Sequence, residues 1–329
     1  MTDRAFGVRN LIWRAAIGGL AFIAVTAHAA EKVSVVMDAG FNGRHAYYFV
    51  AIEKGYYEAA GLDVQVVRGQ GSADAIKQVA AGNAQFGFAD AGSIVLARGN
   101  DQIPVKLVAI VYARAPHAIY ALKESGISKP KDLEGRKIAN PAGGAIPKMF
   151  PAYAKAAGID AGKVTWVVAP SESLPSLLTL GRVDAVGQFT VGEPLLRKQA
   201  APKELVQLTY ADAGLDFYSN GLIAADGTIQ KKPELVRRFV DATLHGLKDA
   251  IADPQEAARI LNKHHREVEV GIAAGEVEMV RSLAVVPHMA LGAIEPNRVR
   301  RTIELVSSAF DLRRPVAPEE VFVPDVVAK

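Results

Sequence analysis

The stretch Val33-Ser34-Val35-Val36-Met37-Asp38-Ala39-Gly40-Phe41-Asn42-Gly43-Arg44-His45-Ala46-Tyr47-Tyr48 sets the fold class. Its first five residues are β-branched and apolar enough to read as a strand. A polar, glycine-bearing loop follows, and a helix is expected from about His45 to Ala60. In open α/β sheets, ligands bind beyond the carboxyl ends of strands, where loops and helix starts converge. The segment therefore offers Phe41 and Tyr48 as rings for a planar ligand, and Asn42 and His45 as hydrogen-bonding groups. The other reading is a surface loop whose aromatics pack beneath it, with Tyr47 in the core.

Outward from this stretch the same grammar repeats. Strands are expected at 63–67, 85–89 and 105–112, with helices at 72–81 and 93–98 between them. A second block places strands at 137–140, 164–168, 184–189 and 205–209 among helices at 147–157, 174–180 and 193–199. Alternation of this kind predicts βαβ units and a mostly parallel sheet, hence an α/β class. Tyr218 to Ala224 is apolar and extended. From Lys232 the chain turns helical: Leu235, Phe239, Leu244 and Leu247 fall near helical spacing, Pro233 and Pro254 mark helix starts, and a last amphipathic helix covers 297–309. Crossings between the two blocks are expected at 113–116 and 216–219. Composition alone leaves open whether these blocks are sequential domains or two lobes to which the tail returns.

Each block has loops suited to holding a small molecule. Gly69-Gln70-Gly71-Ser72 ends with Ser72 as a natural helix N-cap, beside backbone N–H groups that suit a polar or anionic group. Asp90, after the third strand, either binds a ligand amine or caps the short helix behind it. Asn140-Pro141-Ala142-Gly143-Gly144-Ala145 lets backbone amides approach a ligand closely, at Gly144 above all. That loop is no phosphate-binding P-loop, because G-x-x-x-x-G-K-[ST] is missing. Gln188, Thr190 and Glu193 face a cleft if the second block is a lobe, and Tyr218 and Asn220 sit at the second crossing.

Other classes of function are weakly supported. The chain has no cysteine, which removes disulfides, thiolate metal sites, thiol nucleophiles and a lipid-attachment cysteine. The seven histidines lack zinc-ligand spacing, and neither G-x-S-x-G nor H-E-x-x-H occurs, so neither a metal nor a cofactor nor a catalytic residue is expected. Arg4, Arg9 and Arg14, the apolar run 15–25 and Ala27-His28-Ala29 read as a secretory signal peptide over residues 1–29. The apolar run is shorter than the ~20 residues that cross a bilayer. Without that segment, 35 Lys+Arg face 34 Asp+Glu, which gives no basic surface for nucleic acid.

Ordered along most of the chain, further motifs carry a family resemblance. His45 to Tyr57 ends in a Lys54-Gly55-Tyr56-Tyr57 turn and is followed by Gly61-Leu62-Asp63-Val64. Gly82 to Gly87, Lys131 to Ala139, Leu180 to Ala185 and Pro233 to Phe239 continue the series. Together they resemble solute-binding proteins of the nitrate/sulfonate/taurine type and of the thiamine-pyrimidine-precursor group. The resemblance implies a type II periplasmic-binding fold: two α/β lobes joined by two hinge crossings, with the helical tail packed on lobe one. It implies lobe one at 30–115 and 219–329, lobe two at 116–218, and a monomer in the periplasm. An ABC permease and ATPase are implied as partners, and a planar pyrimidine-like compound or a sulfonate- or nitrate-type anion as ligand. Phe41, Asn42 and His45 resemble the aromatic, asparagine and histidine of the thiamine-precursor binders. The cysteine-rich iron motif of the related yeast synthases is absent. A dehydratase-like enzyme on the same fold and a sensory binding protein are the alternatives.

Overall fold

The computed structural model describes residues 30–324 and 326–327. The expected signal segment lies outside them. In chain order the first block holds β1 (Glu31–Val36), α1 (Ala46–Glu53), α2 (Tyr56–Ala59), β2 (Leu62–Val67), α3 (Ser72–Ala80), β3 (Phe86–Asp90), α4 (Ala91–Asp101) and β4 (Val105–Ile110). The second holds β5 (His117–Leu122), β6 (Lys137–Asn140), α5 (Ala145–Ala157), β7 (Thr165–Val168), α6 (Leu174–Thr179), β8 (Ala185–Phe189), α7 (Glu193–Ala200) and β9 (Leu205–Thr209). The chain then returns through β10 (Asn220–Ala225), α8 (Asp226–Lys231), α9 (Pro233–Ala252), α10 (Pro254–His264), α11 (Val270–Ala284), α12 (Pro296–Ala309) and α13 (Pro318–Val321).

Two five-stranded sheets result, ordered β2-β1-β3-β10-β4 and β7-β6-β8-β5-β9. Strand β10 inserts between β3 and β4, so the returning chain completes the first sheet. Two α/β lobes joined by two crossings, with a helical tail on the first, is the expected architecture. The sheets are mixed, however, where a mostly parallel sheet was expected. Strand β10 runs antiparallel to β3 and β4, and β5 antiparallel to β8 and β9. In both sheets the reversed strand is the one that enters directly from a crossing, so it arrives from the opposite direction to the βαβ strands around it.

Strand β5 was not expected, and its register explains its burial. Ile119 and Ala121 face the core shared with the first lobe, while Ala118, Tyr120 and Leu122 pack on Leu174, Leu178 and Leu196. Both faces are covered, so the run reads as continuously apolar and shows no alternation. The long helix expected at 45–60 is broken at Gly55, whose φ of 71° is left-handed and ends the α1 ladder. Helix α9 lies along α1, where Phe239 stacks on Phe86 at 3.9 Å and on Tyr57 at 5.8 Å. Helix α11 also reaches lobe two: it packs on α7, and Lys198 pairs with Glu269 at 2.5 Å. No helix among the described residues is long and apolar enough to cross a membrane.

Candidate functional site

The loop after β1 and the start of α3 face the carboxyl ends of β6 and β8 across the gap between the lobes. A narrow slot lies there, with a cavity of about 40 Å³ in this closed arrangement of the lobes. Lobe one supplies Asp38, Ala39, Arg44, Gly71 and Ser72; lobe two supplies Asn140, Gly144, Ile146, Gly187, Gln188 and Phe189. Glycine, alanine and the Phe189 ring share the walls with the polar groups of Asp38, Arg44, Ser72, Asn140, Ser171 and Gln188. The lobes already touch beside it, because the Ala73 N–H donates to the Gly143 carbonyl at 3.2 Å. A Cβ at Gly71 would lie 2.2 Å from the Gly143 carbonyl carbon.

Beneath the slot lies a buried charge network. Asp38 Oδ1 accepts from Arg44 at 3.0 Å and lies 3.1 Å from His45 Nε2, while Oδ2 accepts from Asn220 at 2.8 Å. Burial pushes the Asp38 carboxyl up, but Arg44 and the bonds from His45 and Asn220 outweigh it and hold the group below its usual range. Burial, with the nearby Arg44 charge, lowers the His45 imidazole against the opposing pull of Asp38. The Arg44 guanidinium lies 5.6 Å from the centre of the Phe189 ring. Asn140 donates to the Gly187 carbonyl at 2.7 Å, but its Oδ1 is buried without a hydrogen-bond partner among the described residues. That oxygen sits where a side chain at Gly144 would begin, 1.8 Å from an ideal Cβ, so only glycine admits it there.

Helix α11 contributes Glu276, whose Oε2 accepts from the Gly43 N–H at 2.5 Å. Burial pushes this carboxyl up to about 7, against the opposing pulls of Gly43 and Arg44. Between pH ~4.5 and ~7 the folded protein therefore holds a proton that the unfolded chain has released, and stability falls as pH rises through that window. Glu276→Gln keeps an acceptor for Gly43 and carries no charge. It should equal the wild type near pH 4 and exceed it above pH 7, by at most about 3 kcal/mol. Urea unfolding at pH 4.5 and 8 checks this; a variant weaker at pH 8 would mean that the ionised carboxylate holds the loop.

The sequence-derived candidates separate into three groups. Ser72, Gly144 and Gln188 line the slot. Ser72 does so without capping α3: the cap position is Gly71, and the Ser72 hydroxyl accepts instead from the Asp90 N–H at 3.1 Å. His45 and Asn220 belong to the network below, and Asn42 precedes the turn that carries Arg44 and His45. Asp90 caps α4 through the Ser93 N–H at 2.8 Å. It also ties the two crossings together, accepting from Ser219 at 2.9 Å and lying 3.4 Å from His117 Nε2.

The third group is occupied elsewhere. Phe41 was expected as a stacking ring, but it packs against His265 at 4.1 Å and under Arg68 at 4.8 Å. Tyr48 was expected likewise; it is fully buried against Tyr47 and Phe88. Thr190 sits at the first crossing, its N–H donating to the Pro116 carbonyl at 2.8 Å. Glu193 is engaged by Tyr120, Gln207 and Arg197 within lobe two, not by His45. Tyr218 is covered by Arg298 at 4.7 Å and accepts from the Glu295 N–H at 3.1 Å. The ring at the slot is Phe189, and the charge there belongs to Asp38 and Arg44. All three stand in segments the sequence points to, but only long-range packing selects them from their neighbours.

Comparison with known proteins agrees with the two-lobed fold. The family described as NMT1/THI5 like matches residues 42–257. The chain is 28% identical over 312 residues to the riboflavin-binding protein RibY of Chloroflexus aurantiacus, covering 90% of this chain and 86% of that protein. It is 26% identical over 303 residues to a formylaminopyrimidine-binding protein of Halalkalibacterium halodurans, covering 89% and 90%. In structure it resembles the alkanesulfonate-binding protein SsuA of Xanthomonas axonopodis pv. citri with a TM-score of 0.71, at 12% identity, over 90% of this chain and all of that one.

Proposed function

Because the chain belongs to the NMT1/THI5-like family, we propose that it is the ligand-capturing subunit of an ABC importer and holds a planar, uncharged nitrogen heterocycle. In this reading it is a periplasmic monomer that binds without chemistry. Residues 30–115 with 219–329 form one lobe and 116–218 the other; closure on the ligand presents a form that a permease and its ATPase read. The observation that carries the ligand class is the slot itself. Its one buried cation, Arg44, is neutralised by Asp38 at 3.0 Å. A sulfonate or nitrate would enter a space with no uncompensated positive side chain, and burying a charge without a partner is costly. A planar amide-like edge suits it better, because an N–H can meet Asn140 Oδ1 while the ring lies along Phe189 and the glycine walls. The riboflavin- and formylaminopyrimidine-binding relatives support the same class.

Thermal unfolding of the purified protein against riboflavin, formylaminopyrimidine, aromatic acids, alkanesulfonates and nitrate tests this. A ligand at 100 times its Kd adds about 2.7 kcal/mol to the folded state. The largest rise is expected from a heterocycle. If a sulfonate or nitrate gives the largest rise, the ligand class is wrong; if a compound is consumed, the binding-only role is wrong.

A further inference from the structure

Where the two crossings meet, the protein buries a histidine that the slot does not use. His117 begins β5 directly after the first crossing and is fully buried. Its ring is enclosed by those of Phe189 at 4.9 Å, Phe217 at 5.1 Å and Tyr210 at 5.5 Å between centres. Neither ring nitrogen has a hydrogen-bond partner among the described residues, yet Nε2 lies 3.4 Å from Asp90 Oδ2. Asp90 ends β3 of the first sheet and His117 starts β5 of the second, so this approach spans the two lobes at their pivot. Burial lowers the His117 imidazole, and Asp90 is the charge that pulls against it. The Tyr210 hydroxyl is turned away, donating to the Ile146 carbonyl at 2.9 Å.

The protons around Asp90 leave one place to fill. Its Oδ1 accepts from the N–H and the hydroxyl of Ser93, at 2.8 and 3.2 Å. Its Oδ2 lies 2.9 Å from the Ser219 hydroxyl, but Asn220 Oδ1 lies 3.1 Å from the same hydroxyl. A hydroxyl has one proton to donate. Turning the Asn220 amide round would break its Nδ2 bond to Asp38 Oδ2, 2.8 Å long, beneath the slot. If Ser219 donates to Asp90, a buried amide oxygen is left without a donor, which is costly. If it donates to Asn220, Asp90 Oδ2 needs another donor, and His117 Nε2 is the group in place. The opposite tautomer would set a lone pair against the carboxylate. A charged ring would bury an N–H at Nδ1 with no acceptor.

We infer that His117 is a positioning residue for capture: as the neutral Nε2–H tautomer it donates to Asp90 across the hinge, which releases the Ser219 proton to Asn220 and so holds Asp38 in place at the slot. The inference rests on the proposed capture by lobe closure and names the group that fixes the closed angle. Hydrogen bonds weaken steeply with misalignment, and 3.4 Å is long for one. Full closure on a ligand is expected to shorten it. The bond is then made at one lobe angle only, and it favours the closed arrangement over the open one.

Long-range proton–nitrogen NMR of the wild-type protein at neutral pH, with His117→Phe to assign its signals, reads the tautomer. A proton on Nε2 is expected; a proton on Nδ1 alone, or on both nitrogens, would overturn the proposal. Calorimetric titration with riboflavin is the second arm. His117→Phe keeps a ring among the three aromatics but removes the donor. It should weaken riboflavin binding about tenfold, the scale of one hydrogen bond to a charged group, and lower the melting temperature without ligand by no more than a few degrees. His117→Gln places a donor at the same reach and should recover most of the affinity. A ring that only fills space would give the opposite order, with phenylalanine tolerated and glutamine damaging. That order, or equal affinity of His117→Phe and the wild type, would overturn the positioning role and leave capture intact. If the wild type does not bind riboflavin, the proposed ligand class fails, and the tautomer, read without ligand, decides the His117 proposal.

Discussion

Asp38→Asn is expected to destabilise the protein by about 3–5 kcal/mol, the largest effect on folding of any single change considered. The substitution is nearly isosteric, and its amide oxygen can still accept a bond. What it removes is the charge facing Arg44, whose side chain is 7% exposed. A guanidinium left buried with no full counter-charge bears the desolvation cost that the pair now offsets. Glu276 cannot make this good at little cost, because its own burial favours the protonated form up to about pH 7. Removing both charges together, as in Asp38→Asn with Arg44→Met, should recover much of the loss, since a hydrophobic replacement of a buried pair is often neutral. Urea denaturation of the two single variants and the double measures the coupling. A single-variant loss below about 1 kcal/mol would place the pair in contact with solvent.

The second large effect concerns ligand capture. Gly143→Ala should lower ligand affinity by about ten- to a hundredfold while leaving thermal stability without ligand nearly unchanged. In the closed arrangement a Cβ at 143 would lie 2.6 Å from the Gln70 carbonyl oxygen, across the gap between the lobes. Gly143 has no left-handed backbone angle, so alanine fits its own loop when the lobes separate. Overpacking of this degree costs about 1–3 kcal/mol, and here the cost falls only on the closed state. A ligand that favours the closed state must then supply that difference. Gly227→Ala, which meets nothing within 4 Å and lies in α8, is the matched control. Equal affinities for both variants would mean that the ligand does not require lobe contact at Gly71 and Gly143.

What the sequence disclosed, and what it withheld, divides along physical lines. Strand–loop–helix units leave local signatures, and β1, β2, β3, β6, β8 and the α9 start all stood in the expected places. Strand β5 was missed because it is covered on both faces and reverses direction at a crossing, which no local pattern reports. The loop 38–48 was singled out and supplies Asp38, Ala39 and Arg44 to the slot, yet within it the rings drew attention and the charges did not. Phe41 is covered by His265, and Gly43 is held by Glu276 of the returning tail. Which face of a loop remains open depends on such distant packing. Arg44 carries no signal of burial on its own; it becomes legible only once Asp38, itself held by Asn220, is seen to pair with it.

Small-angle X-ray scattering of the wild-type protein, without ligand and saturated with whichever heterocycle raises its melting temperature most, tests the clamp most directly. The liganded curve should match the closed arrangement, with Gly71 against Gly143, and the free protein should be measurably more extended. Identical curves in both states, with binding verified in the same samples, would contradict capture by lobe closure.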